Sequence, residues 1–150
     1  DRIVRVTSAG EFVDAWGQLG SGPGEFDGPH ALAFDSRGRL FVADRSNNRV
    51  QVLDAQMNPV DEWRHFGRPS GVAILSDDSL FVADSESNKT IAGKQRNPGW
   101  TNGVRFGSAT DGSLIGFIDG TDPEGLAVDE LGTVWAGLTS TPILQKWVKE

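Results

Sequence analysis

Two imidazoles are the only side chains here that titrate near neutral pH. His30 and His65 are the sole histidines among 150 residues, and there is no cysteine and no tyrosine. A thiolate metal site, a cysteine nucleophile, a tyrosine base and a three-histidine metal site within one chain are thereby excluded. What remains open is the chemistry of imidazole and carboxylate donors, which can hold a divalent ion and activate a bound water, and of guanidinium groups, which stabilise developing negative charge. His30 follows Pro29, Ser70 follows Pro69 and Glu124 follows Pro123, each at the head of a short apolar run. Arg45 and Ser85 each follow an Ala-Asp pair that closes another run. Unlike side chains at equivalent positions point to a repeat, and the repeat has to position them.

Pro29-His30-Ala31-Leu32-Ala33-Phe34 with Leu40-Phe41-Val42-Ala43-Asp44 returns forty positions on as Pro69-Ser70-Gly71-Val72-Ala73-Ile74 with Leu80-Phe81-Val82-Ala83-Asp84. A third, more degenerate copy reads Pro123-Glu124-Gly125-Leu126-Ala127-Val128, then Val134-Trp135-Ala136-Gly137. In a second register, Arg2-Ile3-Val4-Arg5-Val6 through Val13-Asp14-Ala15-Trp16 matches Arg49-Val50-Gln51-Val52-Leu53 through Val60-Asp61-Glu62-Trp63, at an offset of 47. Each full unit holds four short strands: a (Ala31 to Phe34), b (Leu40 to Ala43), c (Arg49 to Leu53) and d (Val60 to Trp63). Four strands recurring every 40 to 50 residues are the mark of a β-propeller blade. Nineteen glycines and seven prolines supply the turns.

The expected fold is therefore all-β, a β-propeller of four-stranded antiparallel blades with about three blades per chain, half of a six-bladed ring. Strands c and d fall in 1–17, a full blade in 30–63, a full blade in 70–118 with a loop insertion at about 85–102, and a partial blade in 124–148. An open arc leaves sheet faces uncovered, which predicts either a homodimer closed by a two-fold axis or the missing half of a larger propeller. A net charge of −7 and pI of 4.8, with the Lys and Arg residues scattered, argue against nucleic acid. No apolar run approaches the roughly 18 residues of a membrane span. Opening on Asp1-Arg2, the chain reads as a mature product or a piece of something longer.

The stretch from Trp16-Gly17 through Gly20-Ser21-Gly22-Pro23-Gly24-Glu25-Phe26, followed by Pro29-His30 and Val42-Ala43-Asp44-Arg45-Ser46-Asn47-Asn48-Arg49-Val50, resembles NHL-repeat propellers. Within that class it is similar to the peptidyl-hydroxyglycine amidating lyases and their bacterial relatives. The resemblance implies that His30 is a zinc ligand and Arg45 a catalytic group. At the position of that family's third ligand stands Glu124, and the aspartate that helps hold calcium there is replaced by Gly125. The family's catalytic tyrosine would fall just before Asp1. Separately, Pro123-Glu124-Gly125-Leu126-Ala127-Val128-Asp129 resembles the gluconolactonase-type motif, in which an acidic residue at the Glu124 position helps bind a divalent metal. Zinc or calcium is the implied cofactor, and an extracellular or periplasmic location the implied compartment.

If strand a leaves the channel mouth and strand b returns to it, the residue before a and the residue after b share one rim. His30, Ser70 and Glu124 then ring the axis, with Arg45, Ser85 and Thr139 just outside. The insertion, carrying Arg96 and Trp100, opens on the same side and suits ligand selection. In a two-fold dimer, paired His30 and Glu124 could bind a metal. The primary reading is a module that binds a small molecule, peptide or protein with Ser70, Ser85, Arg96 and Trp100, non-catalytic as an isolated chain. The alternative is a metal-dependent lyase or lactonase-like hydrolase, with metal ligands His30 and Glu124 and catalytic Arg45, completed by another chain or a missing half. Asp44, Asp84, Asn48 and Asn88 read as turn caps. Trp16, Trp63 and Trp147 read as packing, and His65 as a link residue.

Overall fold

The computed structural model describes residues 1–119, 122–141 and 143–148. Among them there is no α-helix, and so none long and apolar enough to cross a membrane. One four-stranded antiparallel sheet runs β3 (Pro29–Phe34), β4 (Leu40–Asp44), β5 (Arg49–Leu53) and β6 (Pro59–Trp63). A second runs β7 (Pro69–Ile74), β8 (Ser79–Asp84), β11 (Gly103–Ser108) and β12 (Leu114–Asp119). Between β8 and β11 an insertion carries the small hairpin β9 (Thr90–Ile91) and β10 (Lys94–Gln95). A third sheet has β13 (Pro123–Val128), β14 (Val134–Leu138) and β15 (Leu144–Trp147), and at the other end β1 (Ile3–Val6) pairs with β2 (Phe12–Trp16) alone among the described residues.

The inner strands β3, β7 and β13 lie side by side with β7 in the middle, as in an arc of blades around a channel. The chain is thus half a propeller, the all-β fold its repeats imply. β1 and β2 reproduce strands c and d pair for pair. Ile3 faces Trp16 as Val50 faces Trp63, Arg5 faces Asp14 as Val52 faces Asp61, and the register slips at the same next step in both.

Blades cohere through the apolar faces between them. Phe41, Val50, Val52, Trp63 and Phe66 of the first full blade pack on Val72, Leu80 and Val82 of the next. Phe81 and Val104 meet Val134 across the following gap, and Ile3 joins Phe26, Leu40, Val42 and Leu53 at the near end. Burying each such side chain fully contributes about 1.5–3 kcal/mol. Inner strands approach closely enough to select small residues: a Cβ on Gly71 would sit 3.1 Å from the Glu124 carbonyl and 3.2 Å from the Leu126 nitrogen.

Candidate functional site: a hydrogen-bonded rim across three blades

The rim side chains are aimed by a shared backbone irregularity. In all three inner strands the ladder skips just after the leading proline, between Pro29 and Leu32, Pro69 and Gly71, and Pro123 and Gly125. A bulge releases a residue from pairing and re-aims its side chain. The released positions include His30, Ser70 and Glu124.

The loops after strand b are fixed by the buried aspartates that end it. Asp44 accepts from Asp27 N at 2.8 Å, Asn47 Nδ2 at 2.9 Å and Arg49 Nε at 2.7 Å. Asp84 accepts from the backbone of Arg68 at 3.0 Å and Ser87 at 2.9 Å, and from Arg105 Nη1 at 3.2 Å. These are interior junctions that lock whole loops, more than the turn caps read from sequence. Arg45 and Ser85, the residues that follow, are therefore held in place.

Glu124 is where they meet. Its Oε1 accepts from Arg45 Nη1 at 3.0 Å and lies 3.0 Å from His30 Nε2, while Ser85 Oγ donates to Oε2 at 2.6 Å. His30 Nδ1 is 2.6 Å from the Ser70 carbonyl. A carbonyl only accepts, which assigns the hydrogen to Nδ1 and turns Nε2 to the carboxylate, where a hydrogen bond needs one shared proton. Ser70 Oγ in turn donates its one hydrogen between the carbonyls of Pro123 at 3.0 Å and Ala83 at 3.2 Å. His30, Arg45, Ser70, Ser85 and Glu124 thus form one network drawn from three blades. Three of its side chains stay reachable: His30 is 32% exposed, Glu124 34% and Arg45 24%. Among the described residues, Arg45 Nε is buried without a hydrogen-bond partner.

Sequence reasoning missed a second tier beside this network. Arg68, nearly buried, donates to the Arg45 carbonyl at 2.9 Å, to Asn48 Oδ1 at 3.1 Å and to Glu86 at 3.2 Å. Burial works against the charge of Glu86, yet the Arg68 hydrogen bond and the charges of Arg45, Arg68 and Lys89 hold its carboxyl below the ordinary range. Thr139 Oγ1 lies 3.4 Å from Lys89 Nζ, outside the Glu124 network.

Trp100 and Arg96 are not brought into the cluster. Trp100 is stacked by Arg105, whose Cζ is 4.8 Å from the ring centroid. Arg96 is exposed on the insertion, where its backbone bonds to Lys89 and Asn48. His65 packs on Phe66 with ring centroids 4.7 Å apart and bonds the Gly112 carbonyl at 2.7 Å, at the outer turns of the blades.

As a metal site the rim is incomplete within this chain. Among the described residues no three His, Asp or Glu converge in the manner of a metal cluster. The His30 and Glu124 pair offers two donors, and Arg45 already engages the same carboxylate oxygen. A zinc or calcium ion does not fit these residues alone.

The chain carries NHL repeats on a β-propeller arc: the NHL repeat model matches residues 26–53 and 66–91. Over 158 aligned residues the chain is 41% identical to NHL repeat-containing protein 3 of Homo sapiens, a match covering 99% of this chain and 43% of that protein. A 75-residue stretch, 45% of this chain and 8% of the other, is 41% identical to the peptidylglycine alpha-amidating monooxygenase of Rattus norvegicus. Virginiamycin B lyase from Staphylococcus aureus superposes with a TM-score of 0.62 over 98% of this chain and 48% of its own, at 13% identity, a likeness of fold alone. The chain spans less than half the length of each.

Proposed function

We propose that this chain is a ligand-binding NHL propeller module whose recognition site is the rim centred on Glu124, and that it is non-catalytic by itself. The observation that carries this reading is the convergence of His30, Arg45, Ser70, Ser85 and Glu124 into one partly exposed network. Arg45 has guanidinium donors to spare beyond Glu124, which suits a ligand bearing an oxyanion or carbonyl. Activation of a nucleophile is not built in: the Ser85 hydroxyl donates to Glu124 rather than to an imidazole, and His30 Nδ1 is tied to a backbone carbonyl.

A second reading, a metal-dependent lyase or hydrolase, is favoured by one feature. A ligating histidine usually donates its other ring N–H to a carbonyl or carboxylate, and His30 is oriented in that way. Donors from a second half would have to complete the set, and the metal would then supply Lewis-acid polarisation of a substrate oxygen.

Calorimetric titration with benzoyl-α-hydroxyglycine tests both. Binding that is lost in Arg45→Ala and weakened in Glu124→Gln, with no glyoxylate released, supports the module. Binding indifferent to both substitutions sinks the rim site. Chelator-sensitive glyoxylate release moves the assignment to the lyase.

A further inference from the structure

Asn88-Lys89-Thr90 lies on the insertion, outside the Glu124 network. Among the six asparagines of the chain, Asn88 alone has Ser or Thr two residues on with no proline between, the pattern of an acceptor for N-linked sugar. The triplet is short, so the placement of its side chains has to decide whether it can serve.

The amide nitrogens of the other five asparagines are engaged. Nδ2 of Asn47 donates to the Gly20 carbonyl at 2.8 Å, that of Asn48 to the Arg96 carbonyl at 3.2 Å and that of Asn58 to Asp54 at 3.0 Å. Nδ2 of Asn97 donates to Ser87 Oγ at 3.2 Å and that of Asn102 to the Ser85 carbonyl at 2.9 Å. Asn88 differs: it is exposed, and among the described residues its side-chain amide makes no hydrogen bond. The turn cap expected of it from sequence is not formed.

The backbone beneath that amide is nevertheless held. Asn88 N donates to Asn102 Oδ1 at 3.0 Å, Lys89 N to the Glu86 carbonyl at 3.0 Å and Arg96 N to the Lys89 carbonyl at 2.9 Å. Lys89 Nζ lies 3.7 Å from Glu86, and Thr90 is exposed where β9 begins. A free amide nitrogen and an open threonine thus stand on a fixed turn, where a bulky substituent displaces no contact of the fold.

We propose that Asn88 is an N-glycosylation site and that its sugar shields the β9–β10 hairpin. In the attachment, Asn88 Nδ2 bonds to C1 of the first sugar of a lipid-linked oligosaccharide. The bond from C1 to the lipid diphosphate breaks, the diphosphate leaves with the electron pair, and the amide gives up one proton. The glycan is rooted three residues from Ser85, on the one insertion that interrupts the repeat, beside exposed Lys94 and Arg96.

The full chain is secreted from cultured mammalian cells behind a cleavable leader and weighed. A mass above 16.1 kDa is expected, with the excess removed by peptide N-glycosidase and aspartate left at position 88 in the peptide map. Asn88→Gln and Thr90→Ala each abolish the excess, Thr90→Ser retains it, and the melting temperature of unglycosylated Asn88→Gln matches that of the unglycosylated parent. Trypsin cuts at Lys89, Lys94 and Arg96 several-fold more slowly before sugar removal than after it. A secreted chain of bare mass, or an excess that survives Asn88→Gln or Thr90→Ala, would overturn the site. Equal cleavage before and after sugar removal would overturn the shielding.

Discussion

Glu124 holds together groups that the chain separates by as many as 94 positions, with Arg45, His30 and Ser85 all within 3.0 Å of its carboxylate. Each partner is about a quarter to a third exposed or, in the case of Ser85, buried. A double-mutant cycle of Arg45→Ala and Glu124→Gln should therefore give a coupling of about 1 kcal/mol in urea unfolding, the screened value for a partly wet pair. Asp35 is a different case, its side chain fully buried. Burial opposes its charge, but the hydrogen bonds and charge of Arg39, with a backbone bond from Arg37, hold its carboxyl below the ordinary range. A carboxyl depressed in the folded state contributes stability that is complete above its unfolded pKa, about 4, and is lost as pH falls through the folded value. Asp35→Asn should lower stability at pH 7 by about 1–3 kcal/mol and flatten the acid limb of a stability-versus-pH curve.

Asn102 is one of the side chains that fasten the insertion between β8 and β11. Asn102 donates to the Ser85 carbonyl at 2.9 Å and to Asp122 at 2.6 Å, and accepts from Asn88 N at 3.0 Å. Asn102→Ala should cost about 2 kcal/mol and speed proteolytic cleavage within residues 90–95 several-fold, because the buried amide satisfies both the rim strand and the loop. The same segment marks where sequence reasoning ran out. Strands, turns and the meeting of His30, Arg45, Ser70, Ser85 and Glu124 were legible because a repeat supplies register, and register says which residues share a rim. Trp100 and Arg96 lie in a stretch with no counterpart in another blade, so no register placed them. Asp44 and Asp84 looked like caps because turn residues of this type usually are; the missed signal was the basic or amide residue that strand c sets against each, Arg49 and Gln51 in one blade and Arg105 in the other.

An arc with two open ends exposes apolar surface that a closed wheel would cover. At one end stand Val6, Leu32 and Phe34, at the other Leu144 and part of Trp135. Phe34→Glu should leave the melting temperature within about 1 °C, since the ring gains little from burial in the isolated chain, and should raise the concentration at which light scattering first detects association. A fall of several degrees would mean that Phe34 is already covered in solution.

The bulge that opens each inner strand has a consequence for how such a rim changes over time. The released residue is freed from ladder pairing, so its identity answers to the contacts its side chain makes, as the buried Ser70 hydroxyl does at the Pro123 carbonyl. His30, Ser70 and Glu124 occupy equivalent posts with unrelated chemistries, on strands that otherwise follow one pattern. The chemistry at each rim position can therefore change one blade at a time while the strand pattern of the blade stays intact.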